Sequence, residues 1–361
     1  MIEFIRASHL KAGDILAKTI YNDRLQILLK AGNALTNASI KTIRDFGYKG
    51  CYIEHEGIRR EDIPITEPLI DEAEELVFIS RLKDMFSSAE PFQDPLNERF
   101  KKLRREIEDV VKKLAQGIRV LYNKGEFLYE TEDYTRNVSN WIYHHSLNTC
   151  IISIGTALNM GLDQQTTEDI AIGAIYHDYG KAYFGEALYN KENVTDEDKA
   201  LLRQHPEKMF RVLQRLNYPV NTTYAIYQHH EKSDGTGYPH GLKLEKITIA
   251  AQIVSLASAF DNLVNITAYN KEPMSQENAL EYLQGCNLYS IDCMRALFNF
   301  IVPYPVGSKV KLSNGETGIV LKNVPGTIMR PYVLVGKEMY DLSYDLNRMN
   351  ITILESVKDI A

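Results

Sequence analysis

The distribution of histidine along the chain constrains the possible fold more than any other feature of the sequence. Seven of the nine histidines fall within residues 144–240. They are His144, His145, His177, His205, His229, His230 and His240. The helical periodicity of this stretch places most of them at the ends or on the inner faces of separate helices. The sequence therefore predicts a helical bundle whose packing gathers imidazoles at one centre.

Length and composition place the chain among ordinary globular proteins. Its 361 residues allow two or three domains at roughly 100 to 200 residues each. With 44% hydrophobic and 25% charged residues the chain can bury a sizeable core, which argues against long disorder or a fibrous architecture. The four cysteines are scattered without a CxxC pair, so we expect reduced thiols rather than disulfides or a thiolate zinc site.

Net charge and hydropathy limit the classes of partner. The formal charge of -7 argues against general nucleic-acid binding, which needs a broad basic surface, although a small phosphate ligand can still bind at a local cation. No apolar run reaches the roughly 18 residues of a membrane helix, and the first residues lack the long apolar segment of a signal peptide. We expect a cytoplasmic protein without membrane attachment.

The residue pattern predicts four segments in a mainly α protein. Residues 1–56 are typical of a small α+β unit, and residues 57–134 of a proline-bearing linker followed by an amphipathic helix. Residues 135–303 are rich in helical periodicity, and residues 304–361 contain four strand-like runs separated by turn residues. The expected fold is a helical core with a small N-terminal α+β unit and a small C-terminal β extension.

The amphipathic helix predicted over residues 100–121 admits two interpretations. Apolar residues recur along it every three or four positions, at Phe100, Leu103, Ile107, Val110, Leu114, Ile118 and Leu121. This stripe would serve either as the seam of a homodimer or signalling stalk, or as a face packed on the chain's own domain. We favour the packed face, and we interpret the lysines and arginines of the helix as a solvated surface.

Candidate metal ligands lie on four of the predicted helices. They are His145, His177, Asp178, His205, His229 and His230. Imidazole and carboxylate together suit divalent Mn, Fe or Zn. Because a carboxylate can bridge two ions whereas a neutral imidazole makes one bond, Asp178 is the natural bridge. Two ions roughly 3.5 to 4 Å apart activate water and neutralise phosphoryl charge, which is the chemistry of phosphodiester hydrolysis.

Lys181 and two further histidines lie close to these ligands in sequence. Lys181 follows Asp178 by three residues, so in a continued helical turn its ammonium projects beside the ligands and can contact a phosphate oxygen. The same position suits a cation at a helix C-terminus, and the two roles are compatible. On a helix His144 points about 100° away from His145, so we expect His144 outside the cluster. We expect His240 to be exposed.

Four motifs resemble the HD-GYP phosphodiesterases, a branch of the HD superfamily. They are His145-Ser146, His177-Asp178-Tyr179-Gly180-Lys181, His205-Pro206 and the run His229-His230-Glu231-Lys232-Ser233-Asp234-Gly235-Thr236-Gly237-Tyr238-Pro239-His240-Gly241-Leu242. The order and spacing match over residues 135–300. The resemblance implies a helical bundle around a two- or three-metal site, commonly iron or manganese. It also implies hydrolysis of the bacterial second messenger cyclic di-GMP to pGpG or onward to GMP.

The resemblance also implies residue roles. It assigns metal ligation to all six candidate ligands and phosphate contact to Lys181, which makes Asp178 and Lys181 the candidate catalytic residues. It makes Gly237, Tyr238 and Pro239 a loop near the substrate, where glycine permits close backbone approach and proline restricts the turn. The two flanking segments resemble units that accompany this family, and the N-terminal one is sensor-like.

Three positions depart from the family pattern. Ser258 replaces an aspartate ligand, Trp141 replaces the glutamate of members with three metals, and Thr267-Ala268-Tyr269-Asn270 replaces an Arg-Pro-Tyr-Arg segment. We therefore expect two ions, a firm one and a weaker one. The firm set is Asp178, His205, His229 and His230, and the weaker set is His145, His177 and Asp178. Asp261 would complete the weaker set only if its helix rotated or shifted by a turn.

Two functional hypotheses remain open. The complete Gly-Tyr-Pro loop and the His/Asp set favour a cyclic di-GMP phosphodiesterase that uses two divalent ions, iron or manganese. Ser258 and Thr267 motivate the alternative, a partly degenerate, non-catalytic sensor of a cyclic dinucleotide or a module that docks a diguanylate cyclase. We favour the enzyme.

Overall fold

The structure of the protein is a computed structural model. It describes residues 2–7, 9–22, 26–46, 48, 50–54, 69–70, 72–87, 98–129, 140–191, 193–270 and 272–357. Parts of the segment predicted over residues 57–134, namely 57–68, 71, 88–97 and 130–134, and the first residues of the segment predicted to begin at 135 lie outside the described residues.

The N-terminal part forms a small α+β unit. Its elements are β1 (Ile2–Arg6), β2 (Ile15–Leu16), β3 (Ile20–Tyr21), β4 (Ile27–Leu29), α1 (Asn37–Asp45) and β5 (Gly50–Glu54). β5 lies between β1 and β2 in an antiparallel sheet, and β3 pairs with β4. The Thr36 hydroxyl caps α1 by accepting the backbone N–H of Ser39. Ile43 of α1 and Ile53 of β5 share one core.

Two helices lead from this unit into the helical core. They are α2 (Glu72–Ser87) and α3 (Glu98–Asn123), and they pack against each other. The stripe of α3 is buried in the main core at Leu103, Ile107, Leu114 and Ile118. The chain's own helices therefore cover these four positions of the stripe, which agrees with the packed interpretation.

The central region is a bundle of helices. They are α4 (Trp141–Asn159), α5 (Gln164–Tyr176), α6 (Glu186–Tyr189), α7 (Asp196–Leu202), α8 (His205–Arg215), α9 (Val220–Gln228), α10 (Ile249–Val264), α11 (Gln276–Gly285) and α12 (Ile291–Phe298). α4 contacts α3, α5, α10 and α12, and α9 contacts α5, α8 and α10. This packing brings the C-terminal ends of α5 and α9 close to the start of α8 and to inner faces of α4 and α10.

One predicted helix is divided in two. The apolar pattern predicts a continuous helix over residues 196–215, whereas α7 ends at Leu202 and α8 begins at His205. Pro206 explains the break, because proline lacks a backbone N–H and its ring clashes with the carbonyl four residues earlier, so it is tolerated only in a first turn. His205 is consequently the first residue of a helix rather than an interior one.

The C-terminal part forms an antiparallel sheet with its own small core. Its strands are β6 (Lys309–Leu312), β7 (Thr317–Lys322), β8 (Tyr332–Val335), β9 (Glu338–Asp341) and β10 (Ile353–Ser356), in the order β10-β6-β7-β8-β9. Val310, Val320 and Val333 are buried between the strands. The sequence pattern misses β9, whose Glu-Met-Tyr-Asp run lacks β-branched residues.

The fold class is mainly α, as the sequence predicts, with small sheets toward both ends of the chain. Among the described residues, no helix has the length and apolar character needed to cross a bilayer.

Candidate metal centre

Six predicted ligands converge where helix ends meet. His145 lies in the second turn of α4, His177 caps α5 and precedes Asp178, His205 begins α8, and His229 caps α9 just before His230. All are buried except His230, which is half-buried.

The ligand atoms form two groups that share one residue. One group consists of Asp178, His205, His229 and His230, and the other consists of His145, His177 and Asp178. Within each group the candidate ligand atoms lie within 4.8 Å of one another. Asp178 belongs to both groups because its two carboxylate oxygens face different imidazoles. Its Oδ1 lies 3.2 Å from His205 Nε2, and its Oδ2 lies 3.6 Å from His177 Nε2.

Backbone carbonyls orient three of the imidazoles in the same way. The Nδ1 atoms of His177, His205 and His229 lie 2.7, 2.6 and 2.7 Å from the carbonyl oxygen three residues earlier. A carbonyl oxygen only accepts hydrogen bonds, so each Nδ1 carries the proton. The tautomer is therefore the one in which each Nε2 presents its lone pair to the centre, as metal-ligating imidazoles require.

His145 is oriented by a carboxylate instead of a carbonyl. Its Nδ1 donates to Asp261 Oδ2 at 2.6 Å, while Asp261 Oδ1 accepts from the amides of Asn148 and Asn265 at 2.7 Å each. Asn148 Oδ1 in turn accepts from the hydroxyl of Tyr129 at 3.0 Å. Asp261 thus lies behind His145 and does not itself face the centre, so it does not complete the weaker ligand set.

The electrostatics of the centre favour a bound cation. Burial lowers the pKa of His177 to about 3 and also lowers the pKa values of His205, His229 and His230, so these rings are neutral near pH 7. The Nε2 atoms of His205 and His229 then face each other as two lone pairs at 3.3 Å, and the Nε2 atoms of His145 and His177 lie 3.1 Å apart. Such pairs repel unless a cation lies between them.

Two further observations agree with a metal. His230 Nε2 is buried without a hydrogen-bond partner in the described part of the chain. Burial alone would raise the pKa of Asp178, but the ammonium of Lys181 holds it well below the usual range, so the carboxylate stays charged. Neutral imidazoles around one ionised carboxylate form a donor set that fits divalent metal ions.

Lys181 projects into this centre from a 3-10 helix, Tyr179–Phe184, that follows α5. Its ammonium donates to Asp178 Oδ2 at 2.7 Å and is 11% exposed. The ammonium also lies 5.5 Å from the centre of the Trp141 ring and 6.0 Å from that of Tyr269. The two aromatic rings and one carboxylate therefore hold a single cation beside the ligands.

Ser258 lies beside the smaller group of ligands. Its hydroxyl is 3.2 Å from His145 Nε2, on the side of the ring opposite Asp261. The Asn262 amide lies 3.5 Å from the same nitrogen. A carboxylate at this position would give the smaller group a fourth protein donor, whereas a neutral hydroxyl is a poor ligand.

The Ser258→Asp variant is expected to strengthen metal binding at the smaller group. A carboxylate at this position adds a charged donor next to His145. Residues that contact only the ligands of a metal already change metal affinity by about 10- to 100-fold. We therefore expect this direct donor to increase metal affinity by about 10-fold or more. Titration of the second equivalent of Mn²⁺ measures the change. Ser258→Asn, which matches aspartate in shape without its charge, is the control; equal affinity in the two variants would contradict the ligand assignment.

The Gly-Tyr-Pro loop packs directly on the larger group. A Cβ atom at Gly237 would lie 2.4 Å from the backbone oxygen of His230, so only glycine permits this approach. The Tyr238 ring then stacks on the His230 imidazole with centroids 4.5 Å apart. Glu231, which sequence reasoning left without a role, accepts the backbone N–H groups of His240 and Leu242 at 2.7 and 2.8 Å. This carboxylate ties the loop to the end of α9.

The Asp261→Asn variant is expected to weaken metal binding at the smaller group by roughly 10- to 100-fold. An amide replaces the carboxylate that selects the Nδ1-protonated tautomer of His145, and loss of such a partner typically has this effect. Metal titration with a competing chelator measures it. Asp169→Asn removes another buried aspartate, on α5, and serves as the control. An unchanged affinity in Asp261→Asn alongside this control would contradict the orienting role.

Two histidines lie outside the cluster, as the sequence predicts. His144 Nδ1 lies 3.5 Å from Glu75 Oε1 of α2. His240 is exposed, and its Nε2 lies 2.7 Å from the hydroxyl of Tyr227.

The spacing of Asp261 in the sequence could have indicated that it lies near the ligands, because Asp261 follows Ser258 by three residues on the same helix. Residues so spaced share one face.

The helical core of the chain is similar to a known protein family. Residues 132–293 match the HD domain family. A cyclic di-GMP phosphodiesterase from Pseudomonas aeruginosa is 27% identical over 54% of this chain and 48% of its own length. Similar proteins of that name from Borreliella burgdorferi (25% identity, 53% of this chain, 52% of the relative) and Thermotoga maritima (31%, 47%, 49%) also match.

The chain spans about half the length of these curated relatives. The matched region contains all six candidate ligands, the His177-Asp178 pair and the complete Gly-Tyr-Pro loop. Residues 132–293 are therefore similar to the HD domains of the HD superfamily, and the curated relatives that match this region are of the HD-GYP type.

Proposed function

We propose that the protein is a metal-dependent phosphodiesterase that hydrolyses cyclic di-GMP to pGpG or onward to GMP. The observation that carries this proposal is the shared carboxylate of Asp178, which faces two groups of imidazoles at once. A donor set divided around a bridging carboxylate suits two ions, and the curated relatives named for this activity support the substrate. Iron or manganese are the proposed ions.

The six proposed ligands are His145, His177, Asp178, His205, His229 and His230. When bound, two divalent ions supply Lewis acidity toward a phosphoryl oxygen and lower the pKa of a water molecule that can attack phosphorus. The chain's residues supply the rest. The carbonyls behind His177, His205 and His229, and the carboxylate behind His145, hold the lone pairs in place before substrate arrives.

Lys181 is proposed to contact the phosphoryl group. Its ammonium already lies beside Asp178 and is a compact point charge that can shift from a carboxylate oxygen to a phosphate oxygen. Trp141 and Tyr269 limit where the ammonium can move, so it remains beside the ligands. Gly237, Tyr238 and Pro239 are proposed to line the substrate on the side of His230.

Turnover by metal-loaded protein tests the proposal. Full-length protein loaded anaerobically with Fe²⁺ or Mn²⁺ is expected to convert cyclic di-GMP to pGpG or GMP, resolved by ion-exchange chromatography. Chelation should stop the reaction, and restoring the metal should restart it. Intact cyclic di-GMP after incubation with protein shown to hold two ions of either metal would reject the proposal.

A non-catalytic sensor is the second candidate. The observation that favours it is the Ser258 hydroxyl beside His145, where a stronger donor would complete the smaller ligand group. Calorimetry followed by recovery of the ligand separates the two candidates. Tight binding with cyclic di-GMP recovered unchanged supports the sensor, and product formation rejects it.

The remaining predictions concern organisation and partners. We propose that residues 1–56 act as a sensor-like unit, residues 57–134 as the connection, residues 135–303 as the phosphohydrolase domain and residues 304–361 as a β extension. A diguanylate cyclase domain and a second copy of the chain are proposed partners, and the cytoplasm is the proposed location. Light scattering of the purified chain tests the homodimer.

A further inference from the structure

A second cation, Arg203, lies near the candidate metal centre, against the ring of Tyr238. The guanidinium of Arg203 is 5.3 Å from the centre of the Tyr238 ring. That ring stacks on the His230 imidazole at an interplanar angle of 18°. Arg203, Tyr238 and His230 therefore form a continuous stack that ends at a proposed metal ligand. The ammonium of Lys181, by contrast, lies near the rings of Trp141 and Tyr269.

The guanidinium of Arg203 has no ion-pair partner among the residues that the structure describes. The side chain is exposed, and its backbone N–H is used within the turn that ends α7. Arg211, eight residues further along, instead pairs with Glu207 at 2.5 Å. A guanidinium held by one aromatic contact retains its N–H donors for an incoming ligand.

The charge of the proposed substrate calls for two cations. A cyclic dinucleotide carries two phosphodiester groups, each with one negative charge, and only one of them can be attacked at a time. Lys181 lies beside Asp178 and so serves the phosphate undergoing attack. The second phosphate needs a donor further out on the surface. The segment Thr267-Ala268-Tyr269-Asn270 contains no arginine that could provide one.

We propose that Arg203 binds the phosphate of a cyclic dinucleotide that is not being hydrolysed, with the Tyr238 ring positioning its guanidinium. This inference rests on the proposed function and assigns a binding residue to it. A phosphate is the favoured ligand because the guanidinium fork matches two phosphate oxygens with charge-assisted hydrogen bonds. Arg203 thus selects substrates with two phosphates over those with one.

Kinetics with two substrates test this role. Cyclic di-GMP has two phosphodiesters, whereas bis(p-nitrophenyl) phosphate has one. In metal-loaded full-length protein, Arg203→Ala is expected to increase the ratio of the KM for cyclic di-GMP to the KM for bis(p-nitrophenyl) phosphate by roughly 10- to 100-fold, the usual effect of losing hydrogen bonds to a charged group. The kcat for cyclic di-GMP should change much less. Arg203→Lys should recover part of the lost affinity, because it keeps the charge without the fork.

Arg211→Ala is the matched control, since it removes an arginine from the neighbouring helix without touching Tyr238. An unchanged KM ratio in Arg203→Ala would overturn the inference, and so would an equal loss in the control. Measurement with 3',3'-cyclic di-AMP distinguishes phosphate from base recognition. An equal loss of affinity for both dinucleotides supports phosphate binding, and a loss confined to cyclic di-GMP overturns it.

Binding measurements separate this inference from the proposed function. If the parent protein binds cyclic di-GMP without cleaving it, the phosphodiesterase proposal fails, and the dissociation constant of Arg203→Ala decides the role of Arg203. If the parent protein neither binds nor cleaves a cyclic dinucleotide, both proposals are overturned. Turnover with an unaltered KM in Arg203→Ala overturns only the role of Arg203.

Discussion

Asp178→Asn is expected to abolish both metal binding and turnover. The variant keeps the size of the side chain but removes the only charge that both ligand groups share. A metal site contributes several kcal/mol to a phosphoryl transition state, so we expect kcat/KM to fall by about 10³-fold or more. Elemental analysis of the purified variant should find both ions depleted, because neither group retains an anionic donor.

The control for Asp178→Asn is Asp169→Asn, which neutralises a buried aspartate on the same stretch of chain outside the ligand groups. It is expected to keep both ions. Circular dichroism should show that both variants remain helical. If Asp178→Asn retained two ions and parent activity, the assignment of Asp178 as the shared ligand would be wrong.

Gly180→Ala is expected to destabilise the protein and displace His205. A Cβ atom at residue 180 would lie 2.1 Å from the backbone oxygen of His205 and 2.8 Å from its carbonyl carbon. No side-chain rotation relieves a clash with backbone, so the start of α8 must move. Overpacking typically costs about 1 to 3 kcal/mol of unfolding free energy, and we expect the upper end here because the clash is with backbone. Because Asp178 and His205 approach each other at the same place, metal affinity at the larger group should fall as well.

Urea denaturation of the metal-free protein measures the stability change, and metal titration measures the second effect. Gly117→Ala is the control, because a Cβ atom at residue 117 on α3 meets nothing within 4 Å. Alanine is the better helix former, so this variant should be neutral or slightly more stable. A Gly180→Ala protein as stable as the parent, with intact metal binding, would show that the 3-10 helix and α8 can separate without cost.

Much of the candidate site was predictable because its residue types and short spacings are recognisable in the sequence. The dipeptides at His177 and His229 and the glycine-rich run ending in Pro239 are local, and each can be read without knowing what packs on it. Helix positions followed from apolar periodicity, whereas the same periodicity left the stripe of α3 open between a dimer seam and the favoured packing on its own domain. The single helix predicted over 196–215 was wrong because periodicity continued across a proline that breaks hydrogen bonding.

Other parts of the site depend on contacts between residues far apart in the chain. Asp261 and His145 are separated by 116 positions, and their hydrogen bond exists only because α10 packs against α4. The sequence left open whether Asp261 is a metal ligand, and only the packing of the helices places its carboxylate behind the His145 imidazole. The stack of Arg203 on Tyr238 likewise joins two turns that no local pattern connects.

The sequence by itself determined the helical class, the HD-GYP resemblance and the set of candidate ligands, because these follow from periodicity and from residue types at short spacings. Only the tertiary structure decided how the ligands divide around Asp178, which nitrogen of each imidazole faces the centre, and where the cations Lys181 and Arg203 lie. These depend on the directions of side chains on different helices, and packing alone fixes those directions.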